Sequence, residues 1–183
     1  MRVIAGKYKS LKLNTFEHDN IRPTTDMVKE NVFNKIQFII KNSKFLDLFG
    51  GTGAIGIEAV SRGAEVFVAD NNKNSCELIK SNYKKINVEP KLLYKDYIEA
   101  LNYYRNNNIK FDICYIDPPY KSDCGVNAIN KIIELDLLAE GGLIVFEHLK
   151  EDKFHFIKGL SVVDSKNYGT ITVDFIKKEA HCV

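Results

Sequence analysis

The chain has 183 residues, 45% of them apolar, with 26 lysines and arginines against 24 aspartates and glutamates, a net charge of +2. That is chain enough for one α/β domain and a short appendage, and the near-balanced charge excludes a molecule that holds polyanions by its overall field, so any nucleic-acid surface must come from local clustering. No apolar run is long enough to span a bilayer, no signal peptide opens the chain, and Cys76, Cys114, Cys124 and Cys182 lack any metal-ligand spacing, which points to a cytoplasmic protein with reduced thiols and no zinc site.

Residues 1–24 stand apart as an N-terminal extension to the domain of residues 25–183. Arg2-Val3-Ile4-Ala5 and Leu11-Lys12-Leu13 read as two short strands of a hairpin turning at Gly6. Arg2, Lys7, Lys9, Lys12 and Arg22 make it basic, with Tyr8 among them. Basic residues interleaved with an aromatic suit RNA, since lysine and arginine neutralise phosphates and tyrosine stacks on a base. A solvated terminal hairpin would carry the same charges. After Arg22-Pro23, a helix is expected with Thr24, Thr25 or Asp26 as its cap and Val28, Val32, Ile36 and Ile39 or Ile40 on its core face.

Phe45–Phe49 reads as the first strand of the main sheet. It runs into Gly50-Gly51-Thr52-Gly53 and a helix from about Ala54 to Arg62. Strand, glycine turn and helix bring a ligand against exposed amides at a helix N-terminus. The spacing is neither GxGxxG nor a P-loop. Asp47, just before the turn, favours a ligand with a cationic amino-acid end over a pyrophosphate, which it would repel. Glu65–Ala69 is the second strand and ends at Asp70-Asn71-Asn72, where a carboxylate commonly meets ribose hydroxyls. Cys76, Ile79, Tyr83 and Ile86 then share one helix face, Lys91–Tyr94 is a third strand, and Asp96-Tyr97 opens another helix. Asp96 suits an adenine amino group or a plain N-cap.

Phe111–Tyr120, FDICYIDPPY, is the fourth strand and its exit. A nearly continuous apolar run reads as a strand buried on both faces, and two successive prolines stop it by removing backbone donors. Asp117, the proline carbonyls and the Tyr120 ring can accept hydrogen bonds from an amino group and stack on a planar base. The same residues also serve as ordinary turn punctuation. A helix over about Val126–Leu135, a fifth strand Leu143–Glu147 after Gly141-Gly142, and a hairpin around Tyr168-Gly169 complete the chain. The alternation predicts a three-layer α/β/α Rossmann-like sheet, mostly parallel, with an antiparallel C-terminal hairpin.

Asp47-Leu48-Phe49-Gly50-Gly51-Thr52-Gly53 resembles the S-adenosylmethionine loop of class I methyltransferases, and Asp117-Pro118-Pro119-Tyr120 resembles the D/N-P-P-Y/F motif of enzymes that methylate exocyclic or amide nitrogens. Arg2–Lys9, Arg22–Asp26, Glu30–Asn34 and Gly141–His148 together resemble the RsmD-type methyltransferases of small-subunit ribosomal RNA, over nearly the whole chain to Glu147. One departure is visible: the family's acid falls on Ala69, and here the acid is Asp70.

The resemblance implies a methyl transfer from S-adenosylmethionine, leaving S-adenosylhomocysteine, to N2 of one guanine in 16S ribosomal RNA, free or in an assembling small subunit, by a metal-free monomer. It assigns Asp117, Pro118, Pro119 and Tyr120 to the target base. Asp47, Phe49, Gly50, Gly51, Thr52, Gly53, Asp70, Asn71, Asp96 and Tyr97 fall to the cofactor, and Arg2, Lys7, Tyr8, Lys9 and Arg22 to RNA. His148 is expected to be structural. A DNA adenine-N6 or cytosine-N4 methyltransferase would share the loop but usually carries a target-recognition domain. A glutamine-N5 methyltransferase tends to have asparagine at the Asp117 position. A non-catalytic RNA- or nucleotide-binding module would leave the intact Asp117–Tyr120 motif without a role.

Overall fold

The apolar runs become a single seven-stranded sheet in the computed structural model, which describes residues 1–16, 23–119, 122–152, 154 and 156–179. Arg22, Tyr120 and Cys182 lie outside the described residues, as do the side chains of Thr24 and Thr25. The elements in chain order are α1 (Pro23–Lys35), β1 (Lys44–Asp47), α2 (Ala54–Ser61), β2 (Glu65–Asp70), α3 (Lys73–Lys84), β3 (Lys91–Tyr94), α4 (Tyr97–Asn106), β4 (Phe111–Ile116), α5 (Cys124–Glu134), β5 (Leu138–Leu149), β6 (Leu160–Tyr168) and β7 (Ile171–Lys178). The strand order is β3-β2-β1-β4-β5-β7-β6, with β7 antiparallel to both neighbours and the other pairings parallel. The chain runs outward from β1 to β3 and then returns to place β4 beside β1. That reversal opens a crevice at the carboxyl ends of β1 and β4, where ligands of such sheets bind.

Strand alternation sends neighbouring residues to opposite layers. Phe45, Tyr115, Val145 and Phe175 pack with Val28, Val32 and Phe33 of α1, Ile36 just beyond it, Ile57 of α2 and Ile79 of α3. Leu46, Cys114, Ile116 and Phe146 pack with Leu101, Tyr104, Ile129 and Ile132 of α4 and α5. Every inward residue expected of α3, Cys76, Ile79, Tyr83 and Ile86, is buried. α1 ends at Lys35, short of the expected helix, so Ile36 and Ile39 follow it in a turn and Ile40 comes just after; Ile36 and Ile40 are buried and Ile39 is 52% exposed.

Several boundaries differ from the sequence reading. α1 starts at Pro23, so Thr24, Thr25 and Asp26 lie in its first turn and the capping position falls before them. Proline suits the first helical position, where its missing N–H would have had no partner. Gly141-Gly142 lies inside β5, which begins at Leu138, at a shift of register against β4.

The N-terminal hairpin carries one antiparallel bridge, Arg2 to Lys12, and is clamped to the domain. Val3 and Leu13 are buried in the core. The fully buried Glu58 carboxylate of α2 accepts from Ile4 N (2.7 Å), Ala5 N (3.1 Å) and Arg62 Nε (2.9 Å). The turn closes on Ser61, whose carbonyl accepts from Lys7 N at 2.8 Å and whose Oγ accepts from Tyr8 N at 2.9 Å. Gly6 has φ +82, and a Cβ there would lie 2.0 Å from the Ser61 carbonyl oxygen, so only glycine fits.

Candidate active site

A cleft of about 250 Å³ opens at the strand reversal, lined by Asp47, Phe49, Gly50, Gly51 and Thr52 from the β1 exit. Ala54 and Ile55 of α2 add to this wall, Tyr115 and Asp117 come from the β4 end, Glu147 from β5, Val28 and Lys29 from α1, and Met1 and Phe16 from the N-terminal segment.

The glycine turn is built by backbone bonds. Gly53 N donates to Gly50 O at 2.7 Å, Gly50 N donates to Ala69 O at 3.0 Å, and Gly53 caps α2. Gly51 has φ +53, and a Cβ added there would meet only the Phe49 carbonyl oxygen at 4.0 Å, so this position faces open space. Thr52 Oγ1 accepts weakly from Ala54 N, at 3.4 Å, and the Thr52 carbonyl is held by Asn82 Nδ2 at 2.9 Å. Phe49 and Tyr97 form an aromatic pair, ring centroids 5.8 Å apart and tilted by 40°.

Asp47, Asp117 and Glu147 line the cleft, and Asp70 and Asp96 lie outside its lining. Asp47 is 2% exposed and accepts from Gly56 N at 3.0 Å. Burial pushes its pKa up to about 7, opposed by that hydrogen bond and helped by the charge of Asp70. Asp70, half-buried at the end of β2, accepts from Gly51 N at 2.8 Å and Asn72 N at 2.7 Å, tying the loop to the strand end. Ala69, the position of the family's acid, is fully buried in the core, so Asp70 is the carboxylate at this strand end that reaches the turn. Asp96 caps α4 by accepting from Glu99 N at 2.9 Å, and Asn71 is exposed between Asp70 and the α3 cap, Asn72.

Asp117 follows β4 directly. Burial raises its pKa well above the usual carboxylate value, and the charges of Glu147 and Asp47 raise it further. Pro118 is buried and Pro119 exposed, and the Pro119 carbonyl accepts from Ser122 Oγ at 2.6 Å. Among the described residues nothing donates to the Pro118 carbonyl. Tyr120 cannot be placed, since it lies outside the described residues.

Reading the sequence missed Glu147, Tyr115 and Lys29 as members of this cleft. Glu147 stands within β5, but it follows the apolar run Leu143–Phe146 as Asp117 follows Ile113–Ile116, and that shared position after an apolar run was the available signal. Tyr115 hid inside an apolar run. Nothing local marks Lys29, which is 2% exposed and donates to the Arg2 carbonyl at 2.5 Å, 3.7 Å from Glu58. His148 is structural, as expected: Nε2 pairs with Asp174 Oδ2 at 3.0 Å and Nδ1 with the Leu149 carbonyl at 2.8 Å.

Of the residues assigned to RNA, Arg2, Lys7, Tyr8 and Lys9 do not line this cleft. Arg2, Lys7 and Lys9 are exposed, Tyr8 is half-buried with Lys7 Nζ 5.1 Å from its ring centroid, and Arg22 is outside the described residues. The Gly6–Ser10 turn sits at the far end of α2, about 12 Å from the glycine turn by helix length.

A family model described as conserved hypothetical protein 95 matches residues 1–177 of the chain. A Bacillus subtilis protein, named provisionally as an rRNA methyltransferase, is 36% identical over 183 residues, spanning 97% of this chain and 99% of that protein. Ribosomal RNA small subunit methyltransferase D of Escherichia coli is 30% identical over 156 residues, 80% of this chain and 74% of the other. A solved Escherichia coli structure, provisionally titled a methyltransferase, superposes with a TM-score of 0.85 at 25% identity, covering 99% of both chains.

Proposed function

The chain belongs to the RsmD-type family of ribosomal RNA small-subunit methyltransferases, and from that membership we propose that it transfers a methyl group from S-adenosylmethionine to the exocyclic N2 of a guanine in small-subunit ribosomal RNA. The observation that carries this reading is the meeting, in one cleft, of an open glycine turn at a helix N-terminus with Asp117 at the end of the adjacent strand.

The residues present fit the cofactor. The cradle at Gly51 is one that a side chain would fill. Asp47 offers a carboxylate to the ammonium of the methionine end. Both Asp70 oxygens already accept a backbone N–H, yet each keeps a second lone pair for a ribose hydroxyl. The second oxygen of Asp96, which its N-cap bond leaves free, is assigned to an adenine amino group, and Phe49 and Tyr97 supply aromatic flanks. Bound there, the cofactor supplies a methyl group on a sulfonium, which is already a good leaving group.

What the chain must add is alignment, because the N2 lone pair of guanine is delocalised into the ring and attacks poorly. Asp117 and the Pro118 carbonyl accept the two N2 hydrogens and hold the nitrogen at near-attack distance. Positive charge that builds on N2 is met by the Asp117 carboxylate, a preorganised electrostatic partner in a partly desolvated site. The guanine has to leave its stack to reach this depth, and Tyr120, next along the chain, is assigned the stacking role.

Incubation with labelled S-adenosylmethionine and separate pools of ribosomal RNA, DNA and protein tests the reading. Label in small-subunit RNA, recovered after digestion as N2-methylguanosine, is expected. Label confined to DNA or protein, or found on another guanine atom, overturns it.

A further inference from the structure

We propose that Glu147 is a positioning residue for the transfer: fixed by the Tyr115 hydroxyl, it pairs with Asp117 as one titrating unit and sets the pH at which Asp117 is charged. The inference rests on the reading that Asp117 meets the target amine.

The geometry starts with register. Tyr115 pairs with Val145 and Ile116 with Phe146 across the parallel β4–β5 ladder, so the next residues, Asp117 and Glu147, stand side by side, Asp117 just past β4 and Glu147 still within β5, paired with Val173 of β7. Tyr115, Val145 and Phe45 lie in the core layer beneath α1 and α2, and period-two alternation puts Asp117, Glu147 and Asp47 on that same face. All three carboxylates line the one cleft. Tyr115 Oη donates to Glu147 Oε2 at 3.0 Å. A hydroxyl that can only donate to a carboxylate favours its ionised form.

Among the described residues no cation is bonded to either carboxylate of the pair. From α1, Lys29 spends its ammonium on the Arg2 carbonyl and Glu58, and Asp26 lies near that lysine. From β1, Asp47 adds repulsion to Asp117. His148, next to Glu147 but pointing to the other face, is bonded to Asp174 of β7. Two carboxylates in one partly desolvated cleft, with no cation bonded to them among the described residues, cannot both be charged cheaply, so they share a proton. Burial raises both; the Tyr115 bond and then the nearby His148 oppose the rise at Glu147, while the charge of Glu147 adds to the rise at Asp117. Removing the charge at position 147 therefore makes Asp117 easier to ionise.

The test uses the full chain as wild type, Glu147→Gln and Tyr115→Phe. The carboxyl carbon of Asp117, assigned by difference with Asp117→Asn, is titrated by NMR in cofactor-free protein. Its midpoint is expected to fall by about 1 pH unit or more in Glu147→Gln. Tyr115→Phe should move it the same way by less, because Glu147 then competes better for the proton. This variant decides the question if Glu147→Gln does not fold. The acid limb of kcat with saturating RNA and cofactor should shift to lower pH by the same amount, with the cofactor KM at pH 8 unchanged. A merely structural glutamate would lower activity at every pH without moving either midpoint. An Asp117 midpoint that stays put in both variants overturns the proposal. Absence of N2-methylguanosine with wild type would instead overturn the functional reading and leave the titration result standing.

Discussion

Asp47 is nearly inaccessible, bonded to the Gly56 N–H, and pushed up to about 7 by burial. A ligand that places an ammonium against it binds the ionised form, so below pH 7 a proton must leave first. S-adenosylmethionine affinity should therefore weaken as pH falls from 7 to 5.5, by at most about tenfold per unit for one proton. Calorimetry on Asp47→Asn should show weaker binding with that slope gone. Gly51 gives a separate handle, because its Cβ position is open while φ is +53. Alanine there costs about 1 kcal/mol of backbone strain, a fall in Tm of about 2–4 °C for a chain of this size. The loss of cofactor affinity should be much larger than that strain accounts for. Equal affinity for wild type and Gly51→Ala would remove the turn from the cofactor site. At Asp117, chemistry should separate from binding. Asp117→Ala should lower turnover by about 10²-fold or more, the size of losing one transition-state hydrogen-bond partner, with cofactor affinity nearly constant. Asp117→Asn should stay well above Ala if accepting the amine hydrogens dominates, and fall to the Ala level if negative charge does. Both variants turning over at the wild-type rate would reduce Asp117 to a turn residue.

At the scale of elements, what could be read in advance was whatever repeats within a few residues. The spacing of Cys76, Ile79, Tyr83 and Ile86 marks α3, the apolar block Ile113–Ile116 marks a strand buried on both faces, and the Asp117-Pro118-Pro119 stop marks its exit. The acids at the ends of β1, β2 and β4 were legible for the same reason. What stayed hidden depends on partners far along the chain. Glu58 looks like a surface acid on a short helix. It is fully buried because Ile4 and Ala5, 54 and 53 residues away, donate to it, and because Lys29 approaches from another helix. Neither helical period nor charge pattern encodes that. The junction makes a strong prediction. Glu58→Gln leaves Lys29 buried without its counter-charge, and breaking a buried pair from one side costs about 3–5 kcal/mol. Urea unfolding should show a midpoint lowered accordingly. A midpoint within error of wild type would mean that the N-terminal segment is held by Val3, Leu13 and the Ser61 clamp without help from the Glu58 charge.

For the molecule as a whole, a net charge of +2 means that RNA must be held by a local surface, and the clearest cluster in the sequence is the N-terminal hairpin. The sequence suggests a detachable appendage, so that trimming residues 1–13 would weaken RNA binding and leave the cofactor site intact. The structure ties the two together. Val3 and Leu13 belong to the core, Met1 and Phe16 line the cleft, and Gly6–Tyr8 clamp the end of α2. Deleting that segment would expose core and open the cleft, so a loss of activity would say nothing about RNA. Point changes separate the roles, because Lys7 and Lys9 are exposed and their hydrogen bonds in the turn are backbone ones, the Lys7 side chain adding only an exposed contact with the Tyr8 ring. Lys7→Ala with Lys9→Ala should melt like wild type and bind S-adenosylmethionine with equal affinity. If both ammonium groups meet phosphates, RNA affinity should fall with little regard to sequence, and the slope of log K against log salt should flatten by about 1 for each lysine removed. An unchanged slope in the double variant would move the RNA path away from this turn, leaving the hairpin as a clamp that closes the domain beside its own active cleft.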